Sequence, residues 1–135
     1  MNAAVQNSGL IDEMISKARK AQEACELFDQ HQVDVIVKEI AKVVYDNAEP
    51  LARMAVDETG MGVYEDKIKK NQGKAKIIWH SLKGKKSVGI IEKNEETGIV
   101  KGAKPIGVVS AVIPTTNPIV TAMSNSMFAV KVECL

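Results

Sequence analysis

The sequence has too few cysteines to be built on disulfides. Cys25 and Cys134 are the only two in 135 residues, and two cannot make a framework of bridges. It has no excess of one charge either. Its 18 Lys plus Arg stand against 17 Asp plus Glu, a net +1, which argues against binding nucleic acid through bulk charge. No apolar run reaches the roughly 18 residues that a bilayer span requires. The first eight residues, Met-Asn-Ala-Ala-Val-Gln-Asn-Ser, carry neither the basic start nor the apolar stretch of a secretory leader. His31 and His80 are too far apart to form a metal spacing, and no repeat or low-complexity tract is present. What is there is ordinary globular material, 45% hydrophobic and 26% charged, which excludes disorder for the whole chain. A compact chain of this mass would expose roughly 6,900 Å² and bury about two-thirds of its unfolded surface. A cytoplasmic protein with a real core is expected.

The first two-thirds has helical periodicity. Leu10, Ile11, Met14, Ile15, Ala18, Ala21, Cys25 and Phe28 recur at three- and four-residue steps and predict one amphipathic helix. Val33, Ile36, Val37, Ile40, Val43 and Val44 predict a second, against the weak helix propensity of β-branched residues. Asn47 is placed to cap a third, with Pro50 in its first turn and Gly60 at its left-handed end. A fourth carries Tyr64, Ile68, Asn71, Ala75, Ile78, Trp79 and Leu82 along one stripe. The period then changes to that of strands at 87–92 and 99–104, with Asn94-Glu95-Glu96-Thr97-Gly98 between them. The run Ile106 to Ile113 is almost continuously apolar, as a strand covered on both faces would be. Pro114-Thr115-Thr116-Asn117-Pro118 breaks it, and a helix over 119–131 follows with Pro118 at its first position. The fold class expected is mixed α/β: N-terminal helices (1–86), a β-hairpin (87–104), and the first β-turn-α unit of an incomplete Rossmann-like domain (105–135). A lone strand of the buried type makes no sheet, and a parallel neighbour needs a long crossover.

The strand-turn-helix is the strongest local signal for chemistry. Loops at the carboxyl ends of sheet strands line the ligand crevice of α/β proteins, and a helix N-terminus there offers free N–H groups. Asn117 could aim its amide at a developing oxyanion, with Thr115 and Thr116 giving hydroxyls to a nucleotide. Alternatively, Asn117 or Thr116 merely caps the helix, and from spacing alone capping is the favoured reading.

Lys104-Pro105-Ile106-Gly107-Val108-Val109 followed by Ile113-Pro114-Thr115-Thr116-Asn117-Pro118 resembles the aldehyde dehydrogenase superfamily, and more narrowly its coenzyme A-acylating branch. Glu58-Thr59-Gly60-Met61-Gly62, Tyr64-Glu65-Asp66-Lys67 and Val43-Val44-Tyr45-Asp46-Asn47-Ala48-Glu49 agree, so the resemblance runs from about Ile11 to Lys131. It is most like the acylating succinate-semialdehyde dehydrogenases, with acetaldehyde and propionaldehyde relatives close behind. The resemblance implies an NAD(P)-dependent enzyme of the Rossmann-containing dehydrogenase fold. In that family a cysteine thiolate attacks the aldehyde, hydride passes to NAD or NADP, and coenzyme A takes the acyl group. Asn117 matches the oxyanion-hole asparagine. Ile113, Pro114, Thr115 and Thr116 match the stretch against the nicotinamide side of the cofactor. Non-acylating members carry a bulky aromatic where this chain has Thr-Thr. The hairpin corresponds to strands that reach across subunits.

The departures are as informative. The family's nucleophilic cysteine, general-base glutamate, glycine-rich loop and cofactor-binding lysine all belong to sequence beyond Leu135, so this chain alone is expected to be inactive. Val130-Lys131-Val132-Glu133-Cys134-Leu135 leaves the family pattern of a short basic or glycine turn, and the expectation is a frame truncated or shifted near Lys131. Cys25, on an apolar stripe, reads as a small buried hydrophobe, and Cys134 as mobile and without a partner to activate it. Trp79 reads as core. Eight lysines between Lys67 and Lys86, in twenty residues with no acid, form either an anion site or the solvated face of a helix, the latter being favoured. An uncovered 106–113 strand would present an apolar edge. A homo-oligomer is therefore expected, with aldehyde and coenzyme A as small-molecule partners and neither nucleic acid, membrane nor metal. The other reading is a non-catalytic, self-associating module.

Overall fold

A computed structural model describes residues 3–134. The elements follow in the order α1 (Ala3–Cys25), α2 (Gln30–Asp46), α3 (Ala48–Thr59), α4 (Tyr64–Leu82), β1 (Ile90–Lys93), β2 (Val100–Gly102) and α5 (Pro118–Lys131). Each helix boundary has a local cause. Asp29 starts α2 with a capping box: its carboxylate accepts from Gln32 N at 2.8 Å, and Gln32 Oε1 accepts from Asp29 N at 2.9 Å. Asn47 takes the cap position of α3 but makes no side-chain cap. Its Nδ2 donates back to the Val43 carbonyl at 2.8 Å instead, because α2 and α3 are separated by this single residue and its carbonyls also need a partner. Pro50 sits in the first turn of α3, and Gly60, at φ 65°, ends that helix in the left-handed region. Pro118 opens α5 as expected.

The core lies where α2, α4 and α5 meet. Val33, Val37 and Ala41 of α2 pack with Ala75 of α4 and Met123, Met127 and Val130 of α5, with Trp79 partly buried against them. Full burial of Val33, Val37 or Met127 contributes on the order of 1.5–3 kcal/mol each. α3 lays its alanine face, Ala48, Ala52 and Ala55, against α4, where Asn71 donates to the Ala48 carbonyl. Lys131, whose side chain is only 4% exposed, pairs with Asp34 of α2. That pair ties α5 to α2 across most of the chain's length.

The end of α5 is a Schellman turn. Glu133 N donates to the Val130 carbonyl and Cys134 N to the Ala129 carbonyl, both at 2.9 Å, with Glu133 at φ 57° where glycine is normally found. The turn holds α1. Gln22 Nε2 donates to the Glu133 carbonyl at 2.5 Å, and Cys25 is buried beside it. Cys134, expected to be mobile, is instead buried and its Sγ accepts from Ile106 N at 3.3 Å.

Three surfaces lack a cover. Leu10, Ile11, Met14 and Ile15, expected in the core, are exposed on α1, which packs against no other helix or strand among the described residues. The hairpin is antiparallel with an irregularity between Ile90 and Glu92 and is shorter than the 87–92 and 99–104 pattern suggested. Its turn is built on Asn94, whose Oδ1 accepts from Glu96 N and Thr97 N. Residues 103–114 belong to no strand, with Ile106 and Val112 over 90% exposed. A strand needs a neighbour to supply its ladder, and the sheet in this structure has only β1 and β2. The solvent-accessible area is consequently 9,224 Å², about a third above the compact expectation of roughly 6,900 Å².

Candidate active site

Asn117 sits at the junction of the extended segment and α5, half-buried. Its backbone N–H closes the Pro-Thr-Thr turn by donating to the Pro114 carbonyl at 3.2 Å. Its side chain does not cap α5, so the capping alternative fails here. Instead Oδ1 accepts from Lys70 Nζ of α4 at 2.5 Å. This leaves both Nδ2 hydrogens without a protein acceptor among the described residues.

Lys70 is one of two lysines that leave the solvated face. The other, Lys67, is buried, and its stem lies against Gly62. Gly62 has φ 86°, and a Cβ there would stand 2.8 Å from Lys67 Cε. The turn between α3 and α4 thus needs glycine on backbone grounds, and any Cβ there would also push the end of the Lys67 side chain aside. Neither ammonium is ion-paired among the described residues. Burial, and then the neighbouring Lys67, push the Lys70 pKa below its ordinary 10.5. Both lysines, with Met61, Val63, Asp66 and Thr116, line a cleft of about 400 Å³. The other six lysines of the cluster are exposed, and Lys76 lies 4.7 Å from the Tyr45 ring centre.

The expected site residues divide between two places. Thr116 lines the lysine cleft, and Asn117 meets Lys67 and Lys70 in a small adjoining recess. Ile113 lines a separate apolar cleft of about 300 Å³ with Val109, Ala111, Ala122 and Ala129. Pro114 and Thr115 are exposed between them. Lys67 and Lys70 were missed by reading the lysines as a group. For Lys67 alone a signal is available in the sequence: Lys67, Asn71 and Ala75 follow at intervals of four, so Lys67 falls on the buried stripe. No cluster of His, Cys, Asp and Glu among the described residues could hold a metal. No helix among them is long and apolar enough to cross a membrane.

The model of the aldehyde dehydrogenase family matches residues 2–134. The succinate-semialdehyde dehydrogenase (acetylating) of Clostridium kluyveri is 54% identical over 125 residues, which is 93% of this chain and 28% of that protein. The crystal structure of a probable aldehyde dehydrogenase from Listeria monocytogenes superposes with a TM-score of 0.95 at 33% identity, over 99% of this chain and 30% of the other. An acetylating aldehyde dehydrogenase from Geobacillus thermoglucosidasius gives 0.94 at 36%, over 98% and 29%. The chain therefore spans under a third of the length of these relatives. With the turn, the helix start and the full length of the match in agreement, the chain belongs to the aldehyde dehydrogenase family.

Proposed function

We propose that this chain supplies part of the active site of an NAD(P)-dependent, coenzyme A-acylating aldehyde dehydrogenase working in the cytoplasm. The observation that carries the reading is Asn117: a half-buried amide at a helix start, with its oxygen engaged by Lys70 and its N–H bonds open. An N–H donor held in place before the reaction stabilises negative charge as it develops on an aldehyde oxygen, with no change in its own protonation. The ammoniums of Lys67 and Lys70, neither paired with a carboxylate among the described residues, add positive potential beside it. That charge supports an aldehyde with an anionic end, succinate semialdehyde, above a plain aliphatic one, in keeping with the name of the Clostridium kluyveri relative.

The residues of this turn fit one end of a nicotinamide cofactor. Ile113 lines the apolar cleft that offers a flat ring a wall, and Pro114, Thr115 and Thr116 follow it exposed, with the two hydroxyls free to meet polar groups of the cofactor. NAD(P), when bound, supplies the hydride acceptor, and coenzyme A the thiol that receives the acyl group. This chain's own share is to hold the aldehyde oxygen and border the ring. The three-part division at 86/87 and 104/105 belongs to the same proposal, with the hairpin as the piece that reaches toward another subunit.

The test is a fusion of residues 1–131 to the remainder of the Clostridium kluyveri relative, assayed for aldehyde- and coenzyme A-dependent reduction of NAD(P). Activity that falls in Asn117→Ala supports the proposal. A folded but inactive fusion, or unchanged turnover in Asn117→Ala, overturns it. The 135-residue chain by itself is expected to form no thioester.

The exposed apolar surfaces on α1, the hairpin and residues 106–113 favour a second reading, a self-associating folded module. Light scattering on the purified chain should give a discrete dimer or larger species. A strict monomer at high concentration would remove this reading.

A further inference from the structure

We infer that Lys70 is the positioning residue for Asn117: its ammonium fixes which way the amide faces, so that the Nδ2 end is left to donate to the aldehyde oxygen. This deepens the proposed activity and rests on it. The argument begins with the chemistry of the two ends. A primary amide has a donor face and an acceptor face of nearly identical shape, and a ligand oxygen needs the donor face. Packing alone distinguishes the two faces poorly. A charged lysine distinguishes them fully, because an ammonium has three donors and no acceptor. With Lys70 Nζ at 2.5 Å, the atom facing it must be Oδ1, and turning the amide over would put donor against donor.

The surroundings strengthen the selection. Lys70 is half-buried, and the charged groups around it are Lys67 and Asp66 on its own helix, both on the shared cleft. Asp66 lies near Lys69, at 3.9 Å, and pairs with neither Lys67 nor Lys70. The packed face of α3 contributes Ala55, and α5 contributes Asn117, Pro118, Ile119 and Val120. No carboxylate therefore competes with Asn117 for the Lys70 ammonium among the described residues. A hydrogen bond to a charged donor in such a place is shorter and stronger than a neutral one.

The device has a built-in pH limit. Once Lys70 loses its proton, the amine accepts as well as donates, and either amide orientation satisfies it. Burial and Lys67 bring that change to a lower pH than for an exposed lysine.

The experiment is side-chain NMR on the 135-residue chain, following the Asn117 Nδ2 hydrogens and the Lys70 Cε signal through an alkaline titration. Because it needs no turnover, it separates this inference from the proposed activity. The expected result is one shared midpoint for both signals, below the ordinary lysine value of 10.5. In Lys70→Met at neutral pH the Asn117 signals should move to positions typical of a free amide. In Lys70→Arg, which is also donor-only, they should stay near the wild-type positions and lose the alkaline transition. Asn117 signals that ignore the Lys70 titration, or that are unchanged in Lys70→Met, would overturn the inference. If Lys70→Met does not fold, the wild-type titration and Lys70→Arg decide the matter.

Discussion

Glu133 stands where glycine belongs, and replacing it should stabilise the protein. Its φ of 57° costs a residue with a Cβ on the order of 1–2 kcal/mol. Glycine removes that cost but loses about 0.5–1 kcal/mol through its greater freedom in the unfolded chain. A second contribution comes from the carboxylate. Burial, and after it Glu26, raise the Glu133 pKa above its ordinary 4.5, so the charged form is less favourable in the folded protein than in the unfolded one. A folded-state carboxyl pKa that is raised means the native state binds more protons than the unfolded state between the two values. The resulting penalty is absent below the unfolded pKa and complete above the folded one. Glu133→Gly should therefore gain about 1 kcal/mol at pH 7, or roughly 4 °C in Tm for a chain of this size. Glu133→Gln keeps the strain and removes the charge. Its advantage should be present at pH 7 and disappear below about pH 4.5, the ordinary value. The hydrogen bond from Gln22 goes to the Glu133 backbone carbonyl, so every variant retains it. Thermal and urea denaturation followed by circular dichroism at the two pH values reads all of this. A Glu133→Gly protein no more stable than wild type, or a Glu133→Gln gain that persists in acid, would refute the reasoning.

Removing Asp34 should destabilise the fold by about 2 kcal/mol, less than the 3–5 kcal/mol for a fully buried pair because Asp34 reaches water. The double change Asp34→Leu with Lys131→Met should recover most of it, and urea midpoints for the four proteins of that cycle would show whether it does. Met127→Ala empties the middle of the core and should cost about 2–5 kcal/mol, visible as a large drop in Tm. In the active fusion, Asn117→Ala should lower kcat by about 10²–10³ with little change in KM, measured as initial rates of NAD(P) reduction.

Periodicity marks α2 and α4, and Pro118 marks the start of α5; the buried faces of all three meet one another within this chain. The stripe Val33-Val37-Ala41 finds Met123 and Met127 opposite it, so pattern and packing agree. α1 was equally legible as a helix and misleading about burial: Leu10, Met14 and Ile15 are as periodic as Val33 and Val37, yet nothing among the described residues covers them. An apolar stripe reports that a face should be covered, not by what. The same holds for residues 106–113, whose composition is that of an inner strand while no strand among the described residues pairs with them. At the site, Asn117 was legible from the turn and from the resemblance. Lys70 was not, because its role depends on a partner 47 residues away and no local pattern marks such a pair. Cys134 was misjudged for a related reason: position near the end of a sequence suggested freedom, and a Schellman turn with an Ile106 bond removed it.

The attachment of α1 imposes an order of events. Its foothold is the carbonyl that Glu133 presents once α5 has ended in its left-handed turn. Before that turn exists, Gln22 has no acceptor there and Cys25 no pocket. Losing the left-handed turn would therefore release α1 from the rest of the molecule, so a change at residue 133 acts on a helix more than a hundred residues away in the sequence.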